Sequence, residues 1–411
     1  MNSPFWLCIL SFPALAAAQP LSSLVDEALH NNREILAAQK TYEAARQRPS
    51  QAGSLPEPTV SLGYTSNGAP YPGAGLGSDV TSNAGIMVSQ EMAFPGKRKL
   101  RGEIASKEAD AAFQEYLTVR LSVISRLKQA YHELHHAIAG VTFTARYQDL
   151  LQSILRISEA RYAVGRAAQQ DIFKAQTQFS ILQAQMLRYQ QEQRSKRIEI
   201  NALLDRPLDG PIDVPEEMAP GDMPATLDQM LAHARTAAPM LAREQKNVER
   251  NELAANLARK DYYPDYTVSG GYFNQGHMPP MWQFRVDFKL PAYFWRQQRA
   301  AVTEQEFAAA AARHSYESTS VDIQARIRDS YATAETALKL VQLYEKSVLP
   351  EANLALESSL ASYQTGTLDF LSVFSNFTTV VDNELMYHEE VMQFHVALAR
   401  LEEMTGGEMK P

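Results

Sequence analysis

The sequence predicts an internally duplicated α+β membrane protein, in which short strand pairs cross a bilayer and very long helical hairpins continue away from it. Three observations lead there. Thr59-Val60-Ser61-Leu62-Gly63-Tyr64 returns as Thr267-Val268-Ser269-Gly270-Gly271-Tyr272, identical at five of six positions and 208 residues later (267 − 59). Trp282 to Leu290 alternates strictly between apolar and polar or charged side chains. Residues 103–139 and 297–349 contain neither glycine nor proline and carry apolar residues at heptad spacing.

The repeated phrase has repeated flanks. Gln39-Lys40 recurs as Gln245-Lys246, Val88 and Arg98 as Val286 and Arg296, and Tyr131 as Tyr331. Tyr162 with Gly165 recurs as Tyr363 with Gly366. A unit of roughly 200 residues is far longer than a solenoid period, so the architecture is duplicated rather than arrayed. With 21% charged residues and a net charge of −8, the chain offers no basic surface for nucleic acid. The mature chain lacks the run of about 18 apolar residues that a spanning helix needs, so any membrane crossing falls to strands.

Taken in order, residues 1–18 read as a signal peptide. Phe5 to Leu15 is mostly apolar and Ala16-Ala17-Ala18 supplies a small-residue cleavage site. Cys8, the single cysteine, leaves with it, and Phe5-Trp6-Leu7 lack the small residue expected before a lipidated cysteine. The first repeat, 19–206, opens with an amphipathic helix from Leu24 to about Gln47, which Pro49, Gly53, Pro56 and Pro58 end. Strands follow at about 58–66 and 84–94, separated by a glycine- and proline-rich loop. A helical hairpin covers 97–206. Its seam runs in sevens through Leu117, Ile124, Tyr131 and Ile138, and again through Leu127, Leu134 and Val141. A helix from Lys97 to Val164 would be about 100 Å long.

A proline- and acid-rich linker, 207–224, separates the copies. The second repeat, 225–405, replays the order: a helix over Leu227 to Lys260, strands at about 264–274 and 281–290 around a loop from Asn274 to Pro280, and a hairpin over 296–405. Ile327, Ala334, Val341 and Val348 form its seam, Gly366 its turn, and Thr367 to Thr405 its returning helix; 406–411 is a tail. Tyr262, Tyr263, Tyr293, Phe294 and Trp295 flank the last strand like an interfacial aromatic girdle. Four strands cannot close a barrel, and lipid does not tolerate an open edge. Closure therefore needs other copies: a ring-shaped homo-oligomer with a barrel in the membrane and a helical tube beyond it, hollow and without need of a cofactor.

The chain resembles the TolC family of outer-membrane efflux and secretion channels over essentially its whole mature length, and among them those serving pumps of the resistance-nodulation-division type. The carrying features are the duplicated helix–strand–strand–hairpin order, Phe94-Pro95-Gly96-Lys97-Arg98 after the second strand, and the turns Tyr162-Ala163-Val164-Gly165 and Tyr363-Gln364-Thr365-Gly366. The resemblance implies a homotrimer, a twelve-stranded β-barrel in outer-membrane lipid and a periplasmic α-barrel. It also implies a periplasmic adaptor that links the channel to an inner-membrane pump, with drugs or metal ions as cargo. Adaptor contact is expected at Val164, Gly165, Gly366, Thr367 and Leu368. The family's gate bonds a first-tip aspartate to a second-tip tyrosine and an arginine. Asp171 and Tyr363 match the first two, whereas Leu368 stands where the arginine would be. The family's acidic rings correspond to Ser372 and Ser375, and Asp369 is a substitute candidate. A type I secretion duct of the same fold, or a soluble periplasmic coiled-coil scaffold, are the alternative readings.

Two motifs point elsewhere. His132-Glu133-Leu134-His135-His136 fits the zinc-protease pattern H-E-x-x-H. Its place inside a heptad seam, without a third ligand in view, favours ordinary helix histidines over an enzyme. His277, Met278 and Met281 offer imidazole and thioethers to a soft ion such as Cu(I) or Ag(I), in what reads as a loop.

Overall fold

The computed structural model describes residues 20–66, 71, 73–215 and 218–407. The expected signal peptide, Cys8 and residues 408–411 of the tail lie outside them. The residues gather into two compact units: Met1–Leu36, Val119–Ala237 and Ile323–Pro411 in one, Ala37–Thr118 and Ala238–Asp322 in the other.

The chain starts with three helices, α1 (Leu21–Asn31), α2 (Arg33–Ala45) and α3 (Arg48–Gly53), not the single expected one. Asn32 makes the first break. Its side-chain oxygen accepts from the amides of Glu34 and Ile35, at 2.9 and 3.1 Å, and its amide donates to the Leu203 carbonyl. That is N-cap chemistry, which satisfies donors that a helix start leaves open. Pro49 does not end a helix but opens one, because the first turn needs no amide hydrogen at that position. The same rule divides the expected helix 227–260 into α6 (Leu227–Ala237) and α7 (Pro239–Lys260).

The second unit holds the strands β1 (Thr59–Thr65), β2 (Asn83–Met92), β3 (Asp265–Gln275) and β4 (Met278–Lys289). They form one antiparallel sheet in the order β1-β2-β3-β4. β2 stops at Met92, two residues before the expected 94, where the Phe94 amide donates to Asp265 Oδ1 at 2.7 Å. The expected loop 274–280 is instead a tight hairpin. Gly276 turns it at φ +76°, Asn274 Oδ1 accepts from the Gly276 amide, and Pro279 and Pro280 fall inside β4. Proline is tolerated there because the β3–β4 register shifts between the Phe273–Met281 and Gln275–Met278 pairs, so that Pro279 and Pro280 lie at a bulge.

The Phe94-Pro95-Gly96-Lys97-Arg98 motif is the corner where β2 becomes the 67-residue helix α4 (Lys97–Ala163). Gly96 has φ +91°, and Lys97, although charged, is buried. Its ammonium reaches Asp265 at 2.9 Å, Asp261 at 3.1 Å and the Tyr263 carbonyl at 3.0 Å, which compensates its removal from water. Arg98 donates twice to the Gly53 carbonyl, and Phe94 stacks on Tyr263 with centroids 4.5 Å apart.

In the first unit, α4 returns as α5 (Gln169–Leu203). The second hairpin consists of α8 (Gln297–Leu343), a π-helical turn at Tyr344–Val348, α9 (Leu349–Thr365) and α10 (Phe370–Thr405). The returning helix thus starts at Phe370 and not Thr367, since Asp369 caps it by accepting from the Ser372 amide at 3.0 Å. The buried seam of α4 keeps Tyr131, Leu127 and Leu134 of those expected and differs in the rest. Val123, Ala130, Ala137, Thr144, Leu151 and Ser158 are buried in sevens, with Leu127 and Leu134 beside them. Leu117, Ile124 and Ile138 are only partly buried. Small residues on the buried row let helices approach closely, while larger ones sit at its flank. In the second hairpin Ile327, Ala334 and Val341 are buried as their spacing required, with Ile323, Ser330 and Ala337 as the companion row.

Candidate functional site: the sheet faces and the hairpin tips

Cross-strand partners in an antiparallel pair share a face, so register assigns the two surfaces of the sheet. Val60, Leu62 and Tyr64 of β1 stand opposite Val88, Ile86 and Ala84 of β2. Ile86 faces Tyr272, which faces Trp282; Gly270 faces Phe284, Val268 faces Val286, and Tyr266 faces Phe288. One surface is therefore predominantly apolar across all four strands, with Gln90 opposite Val268 and Asn274 opposite Ala84 as its polar members. The other carries Ser61, Ser89, Glu91, Thr267, Ser269, Arg285, Asp287 and Lys289. Inverted relative to a soluble sandwich core, the apolar surface is open: Leu62 and Phe284 are each 82% exposed. A contiguous exposed apolar face of this extent needs a non-aqueous neighbour. The polar face is ordered, with Ser89 and Ser269 hydroxyls 2.9 Å apart and Arg285 paired to Asp287 at 2.8 Å.

At the tips of the helical hairpins, both turns depend on glycine. Gly165 and Gly366 have φ +72° and +85°, the left-handed region where a side chain is strained. Val164 is exposed, and a groove of about 720 Å³ runs between Ile157, Arg161, Val164, Arg166, Thr365 and Gly366. Below it the hairpins share a core that includes Leu151, Ile154, Leu182, Leu356, Tyr363, Phe370 and Phe377, with Leu368 packed on its margin.

Asp171 and Tyr363 are not brought together. Among the described residues no hydrogen bond joins them. The Asp171 carboxylate faces the Ala168 amide, at 3.4 Å, across the start of α5. Tyr363 is 1% exposed, and its hydroxyl lies 2.9 Å from Ser158 Oγ. The Arg161 guanidinium sits over its ring, 4.5 Å from the centroid, and donates to its carbonyl. Asp369 is exposed, and its hydrogen bonds from Ser372 hold its carboxyl below the usual range. Ser372 is half-buried; Ser375 is exposed, with its carbonyl accepting from Thr378. Ser158 and Arg161 were missed in the sequence, although Ser158 lies on the buried row of sevens.

The H-E-x-x-H residues do not form a zinc site. Glu133 pairs with Lys196 at 2.7 Å, His132 Nδ1 meets Met218 Sδ at 3.0 Å, and His136 lies beside Glu389 and Tyr189. No group of three or more His, Cys, Asp or Glu among the described residues could hold a metal ion. Instead, His132 of α4 stacks on His395 of α10 at 4.3 Å, and burial lowers the pKa of both. Burial, then His395, His135 and Lys128, pull His132 down to about 3; burial, His136, His135 and Arg146 bring His388 to about 4. His277 occupies the β3–β4 turn against Gly77, while Met278 pairs with Gln275 and Met281 with Phe273 on β4.

The family model described as outer membrane efflux protein matches residues 24–206 and 230–407. The chain belongs to that family. It is an outer-membrane channel protein of the TolC type and not an enzyme. It is 22% identical over 372 residues to outer membrane protein TolC of Vibrio cholerae serotype O1, covering 87% of this chain and 83% of that protein. Among solved structures, CusC superposes with a TM-score of 0.80 at 16% identity, covering 95% of this chain and 93% of CusC. VceC of Vibrio cholerae gives 0.78 at 18% identity, covering 95% and 97%. At these identities the structures speak for the fold.

Proposed function

We propose that this protein is the passive outer-membrane exit duct of a tripartite efflux system. Three copies join their four-stranded sheets, edge to edge, into a twelve-stranded barrel, and the duplicated helical hairpins form a periplasmic tube. The repeats are 19–206 and 225–405, joined by 207–224. The observation that carries this reading is the sheet: an apolar surface left open over Leu62, Trp282, Phe284 and Phe288, a polar surface opposite, and edge strands β1 and β4 each with one side unpaired. Lipid satisfies the first, a water-filled lumen the second, and neighbouring copies the third. A soluble scaffold would leave Leu62, Trp282, Phe284 and Phe288 in water.

No chemistry is required of the chain. Drugs or metal ions, driven by an inner-membrane pump, pass from a periplasmic adaptor that meets the hairpin tips at Val164, Gly165, Gly366, Thr367 and Leu368. The tips form the entrance, with Tyr363 its structural pivot. Deletion and complementation test the reading: loss of the protein should sensitise cells to a defined set of drugs or metals, and a tip variant Gly165→Trp should fail to restore resistance while reaching the membrane. Unaltered susceptibility across both panels would remove the efflux assignment.

A further inference from the structure

Tyr363 is held at three points, all supplied by the last turns of α4. Ser158 Oγ donates to the Ile154 carbonyl at 3.0 Å, and a serine hydroxyl has one proton to give. At 2.9 Å the Tyr363 hydroxyl is therefore the donor and Ser158 the acceptor. Arg161 lies over the ring at 4.5 Å, an attractive placement for a cation on an aromatic face. The same guanidinium donates to the Tyr363 carbonyl at the C-terminal end of α9, beside the Gly366 amide that donates to it at 3.1 Å, and a cation is favoured at that end of a helix. Ser158 and Tyr363 are both buried, so their hydrogen bond has no water competing for it.

We propose that Ser158 and Arg161 are positioning residues: they clasp Tyr363, and with it the tip of the second hairpin, to the first hairpin of the same chain. The resting width of the entrance is then set inside each chain and not through Asp171. This rests on the exit-duct reading, in which the tips form the entrance. The clasp also accounts for Leu368. That position packs on the apolar core, and the guanidinium comes from Arg161 on the opposite hairpin instead.

Purified protein in planar bilayers gives the test, with single-channel conductance and its fluctuations as readouts. Removing one hydrogen bond of ordinary worth shifts a two-state equilibrium about fivefold. Ser158→Ala and Tyr363→Phe each delete the same bond. Each should raise the occupancy of a wider state by about that factor. The double variant should match either single one, because both act through one contact. Arg161→Ala should shift the balance further, and Arg161→Lys should recover part of it, keeping the charge without the planar face. Asp171→Ala should leave conductance unchanged. A purely structural role would lower the yield of assembled protein without changing the conductance of each channel that forms. The proposal is overturned if Arg161→Ala and Tyr363→Phe channels conduct like the parent, or if Asp171→Ala alone widens them. Absence of any conductance from the parent protein would instead refute the duct itself.

Discussion

An arginine at Phe284 would separate a lipid-facing sheet from a wet one. Phe284 lies midway along β4, between Trp282 and Val286 on the apolar surface, and the residue opposite it is Gly270, which offers no side chain for a charge to pair with. The ring is already 82% exposed within the chain, so Phe284→Arg removes little packing. If water covered this face, the change would stay within about 0.5 kcal/mol. If acyl chains cover it, an arginine near mid-membrane costs about 2–4 kcal/mol, roughly 30- to 1,000-fold in the folding equilibrium. Gln283→Arg, on the opposite face, is the matched control and should be nearly neutral. Folding from urea into phospholipid vesicles, followed by heat-modifiable gel migration, reads the difference. Equal folded fractions for the two variants at every urea concentration would refute the assignment of faces.

Other perturbations follow from the same physics. His132 and His388 have folded-state values near 3 and 4, below the unfolded value near 6.5, so the unfolded chain takes up protons first as pH falls. Their burial as neutral rings is therefore least costly above pH 6.5 or so. Each should cost stability at about 1.4 kcal/mol per pH unit below it, on the order of 2 kcal/mol by pH 5. Melting curves from pH 7.5 to 5 should fall steeply for the parent and less so for His132→Phe; parallel curves would contradict it. Lys97→Met should leave Asp265 without its cation, at the lower end of about 3–5 kcal/mol because Asp265 keeps some contact with water, and should deplete the assembled form on gels. Gly366→Ala meets only the Arg161 guanidinium, at 3.8 Å, so its cost is the left-handed backbone, about 1–2 kcal/mol, read as a lowered urea midpoint.

Much of this architecture was legible because it is periodic. The alternation from Trp282 to Leu290 needed no tertiary information, and register then aligned it with Val268 and Val88 as one face. The heptad spacing announced long packed helices, but size misled about part of the seam: Ile124 and Ile138 are only partly buried, whereas the small residues Ala130, Ala137, Thr144 and Ser158 are fully covered. Proline misled in the opposite sense at three places. Pro239 and Pro49 start helices, and Pro279-Pro280 lie at a bulge of the β3–β4 pair, since in each place the missing amide hydrogen is not needed. The tip contacts had no periodic signature. Ser158 and Tyr363 are 205 residues apart, and only the folded hairpins make them neighbours.

The most direct test of the duct is the behaviour of the purified, detergent-solubilised protein itself. A trimeric barrel should migrate as a heat-modifiable oligomer of three chains and, added to a planar bilayer, should produce discrete, stable conductance steps. A mature chain that stays monomeric and soluble without detergent, and leaves the bilayer silent, would contradict it.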